Sequence, residues 1–216
     1  MLNNNEKGNF LQKAVPYFSS EYDPKERFCS YWHQINEVVS LNPKKVLEIG
    51  IGNRFVTKYL HLQAKKINIT TIDVAHSLQP DIVGSVLAIP FYDESFDVVA
   101  CYQLLEHLPY RNFQKALREI FRVSQRHVTL SLPDVTTVYR FNIELPRIRP
   151  IKKLISHPFP RSSVHNFDGE HYWLIGKTSY PLKKIINDIN EAGYQILKTY
   201  RVFEWYYHRF FILRKY

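Results

Sequence analysis

At 216 residues, with 45% hydrophobic and 23% charged side chains, the chain has the make-up of a globular domain able to bury a sizeable core. Two cysteines, Cys29 and Cys101, are too few for a disulfide framework and form no C-x-x-C pair, and no window reaches the roughly 18 apolar residues of a membrane span. The net charge of +9 is uneven: residues 1–42 carry 4 basic and 5 acidic side chains, residues 43–133 carry 11 and 8, and residues 134–216 carry 14 and 7.

The opening MLNNNEKGNFLQKAV has no basic region followed by an apolar one, so a secretory signal is not expected and a reducing, cytoplasmic setting is. Its Asn-rich, weakly patterned residues predict a mobile arm. From Asp23, apolar residues at helical spacing (Phe28, Tyr31, Trp32, Ile35, Val38, Val39) predict an entry or lid helix, with Asp23 as cap, proline in the first turn and Pro43 as stop. Residues 1–42 thus read as an arm and lid helix ahead of a main domain over 43–216. From Lys44 to Pro133 strands alternate with helices. KKVLEIG, NITTIDV, DIVGS, FDVVACYQ and RHVTLSLP read as strands; FVTKYLHLQAKK and RNFQKALREIFRVS read as helices. Strands separated by helices predict a parallel sheet with right-handed crossovers. The pattern breaks over about 134–180, a proline-, aromatic- and histidine-rich insertion of the kind used as a lid or binding region. YPLKKIINDINEAGY then predicts a helix stopped by Gly193, and YQILKTYRVF and WYYHRFFILRK predict two last strands.

Open parallel sheets bind ligands beyond the carboxyl ends of their strands. The first strand ends in EIGIG, where Gly50 and Gly52 permit a sharp turn. The second ends at Asp73, whose carboxylate can accept two ribose hydroxyls. The third leads to Ser85, placing it with the backbone of Val86 and Leu87 near a base edge. The fourth presents Gln103, Glu106 and His107. A dinucleotide turn calls for G-x-G-x-x-G, but here Phe55 replaces the last glycine, and Glu48 lies where it would repel a pyrophosphate. A ligand bearing an ammonium group would be favoured by that carboxylate.

VLEIGIGN, TIDV and DIVGSVLAIPFYDESFDVVACYQLLEHLP together resemble the class I S-adenosylmethionine-dependent methyltransferases, particularly a small bacterial and archaeal branch with a generic methyltransferase domain. The resemblance covers Lys44 to Pro133. It implies an α/β, Rossmann-like three-layer sandwich: a seven-stranded, mostly parallel sheet with an antiparallel last strand, plus the inserted lid. It also implies S-adenosylmethionine as cofactor. Glu48 with Gly50, Ile51 and Gly52 would face the methionine portion, and Asp73 the ribose. Val74 would pack on the adenine, Ser85 and Val86 would sit at its edge, and Gln103 and Leu104 would line the methionine side and floor. Ser85 stands where many such proteins have an acid, and an uncharged acceptor is weaker. Arg54 replaces a further glycine of the turn, either pointing to solvent or over the helix start, or pairing with Glu48 or the cofactor carboxylate.

Methyl transfer to oxygen or nitrogen needs positioning and removal of a proton. His107 is a candidate base, and HNFDGEHYW adds His165 and His171 beside Asp168 and Glu170. No metal-ligand spacing is diagnostic there, so a hydrogen-bonded lid loop and no metal are expected. The expected function is methyl transfer to a small-molecule acceptor, with an anionic one suited to the basic lid. The alternatives are an RNA or protein methyltransferase using the basic C-terminal surface, and a non-catalytic cofactor-binding or scaffold protein.

Overall fold

The computed structural model describes Tyr17 and residues 22–63, 67–158 and 163–216; apart from Tyr17, the expected N-terminal arm lies outside them. Seven strands form one sheet: β1 (Lys45–Ile49), β2 (Asn68–Asp73), β3 (Ile82–Val83), β4 (Phe96–Tyr102), β5 (Ser124–Pro133), β8 (Tyr194–Arg201) and β9 (His208–Lys215). Their order is β3-β2-β1-β4-β5-β9-β8, and β9 runs antiparallel to both its neighbours. The order reverses between β1 and β4, which opens a crevice at their carboxyl ends. The expected sheet, parallel except for its last strand, is therefore the observed one.

Period-two alternation along the central strands builds two cores. Leu47, Ile49, Val99 and Cys101 face α3 (Phe113–Val123) and α4 (Leu182–Glu191), with Trp173 fully buried among them. Val46, Val98, Ala100 and Tyr102 face the opposite way, toward α1 (Lys25–Ser40) and α2 (Phe55–Gln63). The entry helix thus packs into the second core. No helix among the described residues is long and apolar enough to cross a membrane.

Three local expectations need correction. Asp23 does not cap α1: Pro24 is the cap residue, without a side-chain bond. The Asp23 carboxylate instead accepts from Tyr31 Oη at 2.6 Å and Asn53 Nδ2 at 2.9 Å, tying the helix start to the turn after β1. DIVGS shrinks to the two-residue β3, because its pairing with β2 ends at Asp73–Val83. The insertion is not irregular throughout. It contains an antiparallel hairpin of β6 (Val138–Ile143) and β7 (Ile151–Ser156), with Pro146 and Pro150 in the connection between them, where no ladder hydrogen bond is required.

Other described residues of the insertion bond back to the domain: Ile175 N donates to Pro133 O of β5 at 3.0 Å, and Tyr172 N donates to Glu106 O, after β4, at 2.8 Å. Asp134, at the end of β5, is buried. Its carboxylate accepts from Arg209 Nε at 2.6 Å, while Arg201 donates to the carbonyls of Asp134 and Thr136, each at 2.7 Å.

Candidate active site

The turn after β1 closes over its own strand end. Gly50 has φ +76°, which an L side chain rarely adopts, and Leu104 Cδ1 packs 2.8 Å from where a Cβ would stand, so the turn after β1 meets the loop after β4 closely at a residue suited to glycine. Beneath the turn Glu48 is buried, accepting from Thr57 Oγ1 at 2.5 Å. Burial raises its pKa from 4.5 to about 7, against the lowering effects of the Thr57 hydroxyl and the Arg54 charge. Arg54 itself has φ +62°, the left-handed conformation that glycine takes without strain, which gives the sequence departure a physical meaning. Its guanidinium donates to Leu78 O at 3.3 Å, so its bonded contact is with the loop after β2 and its effect on Glu48 acts through space.

At the end of β2, Asp73 accepts from the backbone N–H of Ile51 at 3.0 Å and of Ala75 at 2.8 Å. The carboxylate is thereby locked against the glycine turn, and each oxygen keeps a second lone pair for a ligand. Val74 is exposed beside it. Ser85 and Val86 are placed differently: neither lines the cavity at the crevice. The Ser85 hydroxyl accepts from Leu87 N at 3.2 Å, and Val86 is buried in the first core.

After β4, Gln103 also adopts a positive φ, +47°, and donates from Nε2 to Ser131 Oγ at 3.1 Å. This strained corner aims Leu104 at Gly50 and starts a single turn, Leu105–His107. His107 Nδ1 lies 3.0 Å from Glu170 O, and its ring centroid is 4.9 Å from that of His171. The predicted histidines of the sheet and of the insertion therefore meet. His165 stands behind them, with Nε2 3.0 Å from His171 O. Asp168 accepts from the backbone N–H of Glu170 at 2.9 Å and of His171 at 2.7 Å, as a self-bonded loop would.

Glu106 is fully buried, and no side chain among the described residues bonds either carboxylate oxygen. Burial raises its pKa to about 7, opposed by the neighbouring His107 and its own backbone. Glu106, His107 and His171 offer ligand atoms within 4.8 Å of one another, a carboxylate-plus-imidazole set that divalent metals accept and that the sequence spacing did not reveal.

Glu48, Gly50, Ile51, Gly52, Asp73, Val74, Gln103, Leu104 and His107 line one cavity of about 110 Å³ at the β1/β4 crevice. Residues 47–132 match the family model described as a methyltransferase domain, the stretch that contains this sheet centre and its turns. Residues 47–132 are thus a match to a methyltransferase domain, carried on the strand order of the class I fold.

Relatives of the methyltransferase domain include a demethylmenaquinone methyltransferase of Thermotoga maritima, 30% identical over 128 residues, which covers 50% of this chain and 54% of that protein. The chain thus spans about half the length of the curated relatives it matches. Among solved structures, the 1,6-didemethyltoxoflavin-N1-methyltransferase of Burkholderia thailandensis, with bound 1,6-didemethyltoxoflavin and S-adenosylhomocysteine, matches with TM-score 0.61 at 13% identity, covering 100% of this chain and 91% of that one. An S-adenosylmethionine-dependent methyltransferase of Clostridium acetobutylicum matches with TM-score 0.62 at 12% identity, covering 93% and 98%. These two share the fold.

The methyltransferase domain also draws cavity residues from outside its core motifs that sequence reasoning missed. Tyr17 and Tyr22 stand over the glycine turn, with ring centroids 5.1 Å apart and Tyr17 Cε1 3.8 Å from where a Cβ of Gly52 would lie. Burial, with the nearby Tyr22 and Asp73, raises the Tyr17 pKa to about 12. His208, at the start of β9, is buried against the same cavity, its Nδ1 2.6 Å from Ser30 Oγ. Burial drives its pKa well below 6.5, so the ring is neutral. Its only sequence signal was a histidine inside the aromatic run WYYHRFFILRK, which predicts a last strand and no site.

Proposed function

We propose that the protein transfers a methyl group from S-adenosylmethionine to a small-molecule acceptor. The observation that carries the reading is the buried Glu48 carboxylate under the glycine turn, with Asp73 locked beside it. The cavity has a counter-charge for an ammonium and an acceptor pair for a ribose, and the Glu48 carboxylate would repel a pyrophosphate. S-adenosylmethionine supplies a methyl group activated on a sulfonium sulfur. Glu48 and the Gly50–Gly52 turn hold the methionine end, Asp73 accepts from the ribose hydroxyls, and the exposed Val74 offers an apolar surface to the adenine. Ser85 and Val86 keep a role at the adenine edge, outside the present cavity lining.

Gln103 and Leu104 shape the floor toward the acceptor, where His107 and His171 stand together. One of this pair takes the proton from an oxygen or nitrogen acceptor, and His165 holds the His171 backbone. The names of the Thermotoga relative and of the Burkholderia structure refer to small organic compounds, which favours that acceptor class. Residues 1–42, with the entry helix α1, serve a domain over 43–216, and the setting is the cytoplasm.

Calorimetry with S-adenosylmethionine, S-adenosylhomocysteine and NAD tests it. Micromolar binding of both sulfur ligands is expected, with none of NAD. Silence with both would overturn the reading, and binding without turnover of any acceptor class would favour the scaffold alternative.

A further inference from the structure

The hairpin of β6 and β7 has two unlike faces. In its register Val138 pairs with Ser156 and Arg140 with Leu154, while Tyr139 pairs with Ile155 and Ile143 with Ile151. Val138, Leu154 and Ser156 look inward and line a cavity of about 740 Å³ with Tyr200, Phe203 and Arg209. The other face looks away from the protein, and on it Tyr139, Phe141, Ile143, Ile151 and Ile155 are 47–50% exposed. At the tip Leu145 and Ile148 are more exposed still, 53% and 58%. An exposed two-stranded ribbon gains little stability by itself, and large apolar patches on a surface mark a place where something else is covered.

Charge selects what that is. Residues 138–156 contain Arg140, Arg147, Arg149, Lys152 and Lys153 against the single acid Glu144. Lys153 lies on the outward face itself, and Arg147 and Arg149 flank Ile148 at the tip. A second copy would bring two such cationic ribbons together within a chain of net charge +9, which opposes a symmetric pairing. Single-stranded nucleic acid would call for stacking rings, but the outward face and tip are mostly isoleucine and leucine. Aliphatic and aromatic side chains ringed by arginine and lysine match an anionic lipid surface, with the apolar groups below the headgroups and the cations among them.

We propose that this hairpin docks the protein onto an anionic bilayer surface. Tyr139, Phe141 and Ile143 would enter the acyl boundary from the strand, and Leu145 and Ile148 from the tip. Arg147, Arg149 and Lys153 would lie in the headgroup layer. This is attachment from one side and spans nothing.

Flotation of the full chain with phosphatidylcholine vesicles, and with vesicles also containing phosphatidylglycerol, tests it. Binding is expected to the anionic vesicles, weakening with salt. Each cation near such a surface is worth about fivefold in partitioning, so Arg147→Ser with Arg149→Ser should weaken binding roughly 30-fold. Ile143→Ser and Ile148→Ser should each weaken it roughly tenfold. These side chains are exposed, so the thermal midpoint should stay at the parent value. A gain-of-signal variant guards against unfolding: Phe141→Trp should shift its fluorescence to the blue on anionic vesicles and be quenched by brominated acyl chains. Failure to float, undiminished binding by the variants, or a Phe141→Trp signal unmoved by vesicles would each overturn the proposal. So would binding to bulk RNA, or a dimer dissolved by Ile143→Ser, in place of vesicle binding.

Discussion

Replacing Glu48 by Gln should make the ligand-free protein more stable while weakening its ligand affinity. In the folded protein burial holds the Glu48 proton up to about 7, whereas the ordinary value is 4.5. The folded state therefore binds this proton more tightly than the unfolded chain does. The resulting stability is fully present below pH 4.5 and is lost as pH rises through about 7. At 1.36 kcal/mol per pH unit that window amounts to about 3 kcal/mol. Glutamine keeps an acceptor for Thr57 and carries no charge, so Glu48→Gln should match the parent near pH 4.5 and exceed it by about 3 kcal/mol above pH 8. Glu106 is raised by the same cause, but it is common to both proteins and cancels in the difference. Urea denaturation of both proteins across that range reads the effect directly. The second arm is S-adenosylhomocysteine affinity, which should fall roughly 10- to 100-fold on loss of a charge-assisted bond. Calorimetry of the parent in buffers of different ionisation enthalpy should show proton release on binding near pH 6, because a ligand ammonium favours the carboxylate form. A parent-minus-variant stability that stays flat with pH, or affinity unchanged in the variant, would refute the assignment of Glu48 as a strained buried carboxyl awaiting an ammonium.

Gly50→Ala combines a left-handed φ with a Cβ 2.8 Å from Leu104 Cδ1, so it should cost about 2 kcal/mol, or roughly 5 °C in Tm, by differential scanning calorimetry. Tyr17→Ala should tighten S-adenosylhomocysteine binding a few-fold by stopped-flow fluorescence, since about 110 Å³ is below the ~300 Å³ of small ligand pockets and the ring stands over Gly52. Weaker binding would mean the ring packs on the ligand instead. Asp134→Asn leaves Arg209 beside a neutral amide and should cost about 3 kcal/mol in urea titration. His171→Asn should lower kcat at unchanged S-adenosylhomocysteine affinity, because the residue stands on the acceptor side with His107.

The sheet was legible because its apolar strand segments, β1 above all, are bounded by turn residues and separated by helical patterns, and the cofactor motifs sit at the strand ends that topology makes functional. The hairpin was missed although Tyr139, Phe141 and Ile143 alternate with Arg140 and Asn142, because four prolines in the insertion drew the reading toward loop. Alternation with the apolar side outward also builds no core. The convergence of His107 with His171 could not be read, since 63 residues separate His107 from Glu170, whose carbonyl meets it. The same holds for His208 and Ser30, brought together across 178 residues. Arg54 shows the opposite case. The sequence marked the position as unusual, and the left-handed φ supplies the reason that glycine is the expected residue there.

The strand order has a consequence for how that edge of the sheet is held. Among the described strands β8 pairs only with β9, and β9 is held on its other side by β5, so two strands depend on one antiparallel seam. His208, which opens β9, stands at the cavity on that same seam. Weakening the β5–β9 pairing would therefore loosen two strands and a wall of the site together, and would leave the β5 edge open to other partners.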